Sequence, residues 1–170
     1  AESVLQRALN MFKCDKDEDI ETFLHDKAID HIERGTCNVF LILDEEKFDN
    51  NMIEIMAYFT LSHRSIEFQE DVSNTKVRAV AGFKGKTSTA VVLIGQIGKY
   101  MNGELSSFIS IDEILDYAFE VIRASSELIP CRAALVECSE TIHNLQIYEK
   151  AGFKFLQQDK DFYQYYKVIG

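Results

Sequence analysis

The sequence predicts an α+β, or mixed α/β, domain built on one central mixed sheet, mostly antiparallel and flanked by helices. Three observations carry this. Ile20, Phe23, Leu24, Ala28, Ile29 and Ile32 recur at three- and four-residue steps, the apolar stripe of an amphipathic helix. Two strand-length apolar runs, Asn38 to Leu43 and Ile53 to Leu61, flank a short polar stretch, as in an antiparallel pair. A strand–helix–strand order follows between Thr89 and Cys138, and such a unit needs a parallel contact with a right-handed crossover.

The elements follow in order. A helix is expected from Asp17 to Arg34: the acidic residues from Asp15 to Asp19 suit its positive end, and Gly35 closes it. Asp44 to Asn51 reads as a polar turn between the first two strands. Ile66 to Arg78 shows no decisive period, and Ala79 to Lys86, with Gly82 and Gly85, reads as a loop or a ragged strand. Thr89 to Lys99 is the strongest strand; its Gly95 and Gly98 suit a bulge or a close approach by another backbone or a ligand. Tyr100 to Phe108 reads as a loop. Ser110 followed by Glu113 is a capping-box pattern, opening a helix that buries Ile114, Leu115, Ala118, Phe119, Val121 and Ile122. Arg132 to Cys138 is a strand, Thr141 to Lys150 a short helix ended by Ala151 and Gly152, and Phe153 to Leu156 and Phe162 to Val168 are the last strands.

A chain of 170 residues, 46% of them hydrophobic, can bury a core without disulfide or metal, and no linker divides it, so one domain over residues 1–170 is expected. Cys14, Cys37, Cys131 and Cys138 form no paired spacing and the four histidines complete no zinc pattern; free thiols in a cytoplasmic protein are expected, with no metal. No signal-peptide layout and no apolar run of about 18 residues occurs, so no membrane partner is expected. The formal net charge of -10 argues against a broad nucleic-acid role and for cationic acceptors.

Ile147-Tyr148-Glu149-Lys150-Ala151-Gly152-Phe153-Lys154, just after the strand ending at Cys138, resembles the C-terminal signature of the GNAT N-acetyltransferases. With the layout of the earlier helix and strands, the resemblance covers roughly Phe12 to Val168 and extends to the branch of toxins that acetylate aminoacyl-tRNA. It implies a GNAT fold in which the strand Thr89–Lys99 and the strand Arg132–Cys138 splay apart, with acetyl-CoA as co-substrate. The pantetheine arm would pair with the backbone of Gln96, Ile97, Gly98 and Lys99, and an N–H at or near Ile97 would stabilise the oxyanion. The family's glycine-containing pyrophosphate loop falls on Ser106 to Ile111, where neither glycine position holds glycine; Ile109, Ser110, Ile111 and Asp112 then stand at the helix N-terminus that would face the pyrophosphate. Asn144 and Lys150 would face the cofactor, and Thr141 would cap their helix.

By the same resemblance Tyr148 protonates the departing thiolate, since a phenol stays protonated at neutral pH. Glu137 is the candidate base, though it reads first as a solvent-facing carboxylate, and Glu67 and Glu70 are weaker candidates for the same role. Cys138 reads as packing, because the family forms no acyl-enzyme. The implied function is direct acetyl transfer to a primary amine of a small molecule or peptide. The alternatives are a non-catalytic interaction module and a toxin-like enzyme acting on aminoacyl-tRNA, the one nucleic acid the resemblance implies. Phe162, Tyr163, Tyr165 and Tyr166 suit either a homodimer interface or the core.

Overall fold

The computed structural model describes residues 3–50 and 52–170. In chain order it contains α1 (Val4–Met11), α2 (Glu18–Thr22), a π-helical turn (Phe23–Lys27), α3 (Ala28–Glu33), β1 (Asn38–Leu43), α4 (Glu45–Asp49) and β2 (Ile55–Glu67). There follow α5 (Asn74–Ala81), β3 (Ser88–Lys99), β4 (Met101–Asn102), β5 (Leu105–Ser106) and α6 (Ile111–Ser126). The chain ends with β6 (Ala133–Cys138), α7 (Glu140–Leu145), α8 (Ile147–Lys150), β7 (Lys154–Asp159) and β8 (Phe162–Val168). The main sheet has the strand order β1-β2-β3-β6-β8-β7, and β4 and β5 form a separate ribbon. As the crossover rule requires, β3 and β6 are parallel; β6–β8 and β7–β8 are antiparallel. The chain divides into two compact units: Ala1–Thr60 with Gln96–Ile114, and Leu61–Gly95 with Leu115–Gly170.

In the first unit the core gathers Leu9, Phe12, Phe23, Leu24, Ala28, Ile55 and Tyr58. Asp17 caps α2 by accepting from the N–H groups of Asp19 and Ile20. The helix expected from Asp17 to Arg34 forms, but with a π turn at Phe23–Lys27, where the Ala28 N–H reaches back to the Phe23 carbonyl. Both Phe23 and Leu24 are buried. The polar stretch expected to be a turn over Asp44–Asn51 holds the helix α4, because Asp44 caps the Lys47 N–H at 2.9 Å; Asn51 lies outside the described residues. Unforeseen α1 is capped by Ser3 and buries Ala8 and Leu9. The expected loop Tyr100–Phe108 contains the β4–β5 hairpin, held to the segment 13–15 through Met101.

In the second unit Ile66, Val80, Val91, Leu93, Ala133, Leu135, Leu156 and Tyr166 form the core on one face of the sheet. Side chains alternate along a strand, so Glu137 of β6 shares that face with Ala133 and Leu135. Val80 brings α5 onto it. The opposite face meets α6, where Phe119 lies under the Lys167 ammonium at 4.6 Å. The undecided stretches Ile66–Arg78 and Ala79–Lys86 resolve into the end of β2, then α5, capped by Ser73 and closed by Gly82. The capping box at Ser110 and the buried side of α6 form as read, with Val121 half-buried. Of the C-terminal aromatics, Tyr165 and Tyr166 are buried in the core while Phe162 stays exposed.

Charge divides with the units. The first carries 17 of the 28 acidic residues and 7 of the 18 basic ones; the second carries 11 of each. The acidity expected to repel nucleic acid is therefore a property of one unit.

Candidate active site

The expected helix Thr141–Lys150 is broken: Gln146 adopts a left-handed conformation (φ 53), separating α7 from α8. Ser139, not Thr141, stands at the N-cap. The sequence Tyr148 to Phe153 closes α8 in a Schellman motif. The Phe153 N–H reaches the Tyr148 carbonyl at 2.9 Å and the Gly152 N–H reaches the Glu149 carbonyl at 3.0 Å. Gly152 takes φ +85 there, which costs a residue with a Cβ. Phe153 is buried and meets the Tyr148 ring edge-on at 6.1 Å. The motif spacing thus fixes where the phenol stands.

The Tyr148 ring also lies against Tyr165 at 5.9 Å. Burial, with a smaller contribution from Cys138, pushes its hydroxyl up to about 12. Burial likewise pushes the Cys138 thiol up to about 11, so Cys138 stays a protonated packing residue. His143 Nδ1 lies 2.6 Å from the Tyr165 hydroxyl, and its ring stacks on Tyr163 at 3.9 Å.

Glu137 meets the other side of β8. Its Oε1 accepts from Gln164 Nε2 at 2.8 Å, and its Oε2 lies 3.5 Å from Arg64 Nη1. Gln164 Oε1 in turn accepts from Gln157 Nε2 at 2.8 Å. Gln157 also donates to the Glu67 carbonyl and accepts from the Gln69 N–H. Both glutamines are buried and fully bonded, which fixes their amide orientations. Tyr165 and Gln164 are neighbours on β8, so Tyr148 and Glu137 address opposite faces of it. The parallel register of β3 with β6 ends at Ile94↔Val136, while β6 continues against β8 to Cys138↔Tyr163. Glu67 and Glu70 have exposed side chains. Asn144 and Lys150 are exposed as well.

In the first unit, the Gln96 N–H is taken by Thr60 Oγ1 at 2.8 Å. Ile97 and Lys99 are half-buried. Gly98 has a packing reason: a Cβ there would stand 2.4 Å from Tyr58 Cε1 and 2.6 Å from Ile20 Cγ2. At the start of α6, Ile109 is buried. Ser110 Oγ accepts from the Glu113 N–H at 3.2 Å, and Glu113 Oε2 accepts from the Ser110 N–H at 2.7 Å. Those bonds hold the Glu113 carboxyl below its usual range. The capping box leaves the N–H groups of Ile111 and Asp112 to meet an anion, with two carboxylates in the same turn. A cavity of about 550 Å³ in this unit, lined by Phe12, Lys47 and Tyr100 among others, reaches Ser106, Ser107 and Phe108 of the segment expected to hold the pyrophosphate, but not Ile109 to Asp112.

No family model matches the chain, and no curated protein matches it. Solved structures do. AtaT complexed with acetyl-methionyl-tRNAfMet superposes with a TM-score of 0.72 at 16% identity, over 99% of this chain and 89% of AtaT. A mutant of KacT gives 0.71 at 14% identity, over 95% and 87% of the two chains. AtaTR bound with AcCoA gives 0.68 at 16% identity, over 95% and 86%. The sheet order, the parallel β3–β6 contact and these superpositions give one conclusion: the chain shares its fold, the GNAT fold, with AtaT and KacT.

Proposed function

We infer that the chain is an acetyl-CoA-dependent N-acetyltransferase whose acceptor is the α-amino group of an aminoacyl-tRNA. The observation that carries this is the pairing across β8: a half-buried phenol on one face and a bonded carboxylate on the other, beside the point where β3 and β6 stop pairing. Donor and acceptor can then reach a thioester from two sides. The acceptor class draws on AtaT, solved with acetyl-methionyl-tRNAfMet, and acetyl-CoA as donor draws on AtaTR bound with AcCoA.

In the proposed reaction the neutral amine attacks the thioester carbonyl carbon, the C–N bond forms, and an N–H at or near Ile97 receives the oxyanion. Glu137 takes the amine proton, directly or through water. The C–S bond breaks and Tyr148 gives its proton to the sulfur. The backbone of Gln96 to Lys99 would pair with the pantetheine arm, and the N–H groups of Ile111 and Asp112 would meet the pyrophosphate. Asn144 and Lys150 are the exposed contacts assigned to the cofactor.

One observation supports a second reading, a non-catalytic interaction module: Ser110 and Glu113 already satisfy each other where a phosphate cradle would stand. Calorimetric titration with acetyl-CoA, followed by transfer of labelled acetyl to aminoacyl-tRNA, separates the two. Micromolar acetyl-CoA binding with labelled RNA supports the enzyme; no binding at millimolar acetyl-CoA sinks it in favour of the module.

A further inference from the structure

The second unit carries a basic surface that the net charge of the chain conceals. From Val72 to Gly103 the sequence contains no acidic residue, but it holds Lys76, Arg78, Lys84, Lys86 and Lys99. Lys76 is committed inward: its ammonium reaches the Leu156 carbonyl at 3.4 Å and lies 5.3 Å from the Phe155 ring centroid. Arg78 on α5, and Lys84 and Lys86 on the loop after it, are exposed, and among the described residues none is in an ion pair. The bases that do hold a carboxylate are others: Lys13, Arg34, Lys47 and Arg64. Arg132, at the start of β6, joins the group by donating its Nε–H to the Ala79 carbonyl of α5 at 2.8 Å. The loop is folded back by the Gly85 N–H on Asn74 Oδ1 at 3.3 Å. Phe83 precedes Lys84 on the same loop and is 71% exposed.

We propose that Arg78, Lys84, Lys86 and Arg132, together with Phe83, form the surface that holds the acceptor RNA. Unpaired bases on a protein surface favour a polyanion, because each phosphate they neutralise releases a counterion. An exposed aromatic ring next to a cation favours RNA with unstacked bases over duplex DNA, since a free base can stack on it. Location agrees. Val80 of α5 packs on the sheet face that carries Ala133, Leu135 and Glu137, and Arg132 stands about 17 Å along β6 from Glu137. RNA held on the outer surface of α5 is therefore on the same side of the sheet as the candidate base. The surface deepens the acyl-transfer reading and rests on it for the identity of the acceptor.

Binding of fluorescent deacylated tRNA, without acetyl-CoA, tests the surface separately from the chemistry. The full chain is compared with the triple variant Arg78→Glu, Lys84→Glu, Lys86→Glu and with Phe83→Ala, at roughly 50 and 200 mM salt. The triple reversal is expected to weaken binding about 100-fold or more and to flatten the salt slope by about two to three units. Phe83→Ala is expected to weaken it about 5- to 100-fold with the slope unchanged. Thermal melting checks that each variant folds, and because all four side chains are exposed, a melting point near that of the parent is expected. Wild-type affinity in the triple variant overturns the surface, as does failure of the parent chain to bind tRNA. Equal affinity for duplex DNA, untouched by Phe83→Ala, overturns the assignment to RNA. Absence of acetyl-CoA binding with tRNA capture intact defeats the catalytic reading alone.

Discussion

Gln164 donates to Glu137 across the β6–β8 pair at 2.8 Å, and it does so from a site that is 1% exposed. An amide buried this deeply has one orientation, set by Gln157 behind it. Gln164→Leu would strand one N–H of Gln157 and one oxygen of Glu137. Each stranded buried group costs about 1–3 kcal/mol, so urea unfolding of Gln164→Leu should show a loss in this range or above. Glu137→Gln should be milder in stability but lower kcat by about 100-fold if Glu137 takes the amine proton. An unchanged kcat in Glu137→Gln would return this carboxylate to a purely structural part.

Tyr148→Phe removes one oxygen and leaves the ring contacts with Phe153 and Tyr165. Acetyl-CoA affinity should stay within about twofold while kcat falls by about 100-fold or more. The pH profile gives a second check. Burial raises the hydroxyl from an ordinary value of 10.0 to about 12, so the proton is retained throughout the neutral and mildly alkaline range. Activity should therefore show no decline assignable to Tyr148 until the pH approaches its raised value. The same shift predicts alkaline instability: this contribution is whole below the ordinary tyrosine value and disappears as pH rises through the raised one. A decline of kcat near pH 8 that Tyr148→Phe abolishes would contradict the assignment.

The architecture was legible where periodicity and turn chemistry agreed. The helix under the stripe from Ile20, the capping box at Ser110 and the parallel strand–helix–strand unit all formed, but of the stripe Phe23, Leu24 and Ala28 are buried while Ile29 and Ile32 stay exposed. The π turn at Phe23–Lys27 was not legible, because it shifts hydrogen bonds by one residue without changing which residues are apolar. Helix α5 was missed because Val77 and Val80 are its only buried residues and the glycines that follow read as a loop. At the candidate site, the Tyr148–Phe153 motif announced its position through Gly152. Gln157 and Gln164 looked like ordinary strand polar residues, since alternation reports a face and says nothing of which polar groups meet across it. The basic surface was obscured by a net charge summed over both units, though the acid-free run from Val72 to Gly103 was there to be read.

Glu21 predicts an acid-sensitive contact in the first unit. It accepts from Lys13 Nζ at 2.7 Å and from the Cys14 N–H at 2.9 Å, next to the bridge between Cys14 and Met101. Lys13 and the Cys14 N–H hold its carboxyl below the ordinary range. A depressed carboxyl contributes stability above its unfolded value and loses it as pH falls through the folded one. Glu21→Gln should cost about 0.5–1.5 kcal/mol at neutral pH. The difference between parent and variant should vanish in acid; a difference that persists to the lowest pH would show that the contact is not ionic.

Gly98 gives the sharpest packing prediction, because its constraint comes from a side chain that can be altered. Tyr58 is fully buried, its hydroxyl donates to the Ile20 carbonyl at 2.6 Å, and its ring occupies the space a Cβ at position 98 would need. Gly98→Ala should destabilise the chain by about 1–3 kcal/mol through overpacking. Tyr58→Leu alone should also destabilise, by leaving a cavity and an unpaired carbonyl. If the Tyr58 ring is what forbids the Cβ, the double variant should cost less than the sum of the two, with a coupling of about 0.5–3 kcal/mol. Additive costs would mean that Ile20 Cγ2, at 2.6 Å, and not the Tyr58 ring, forbids the Cβ.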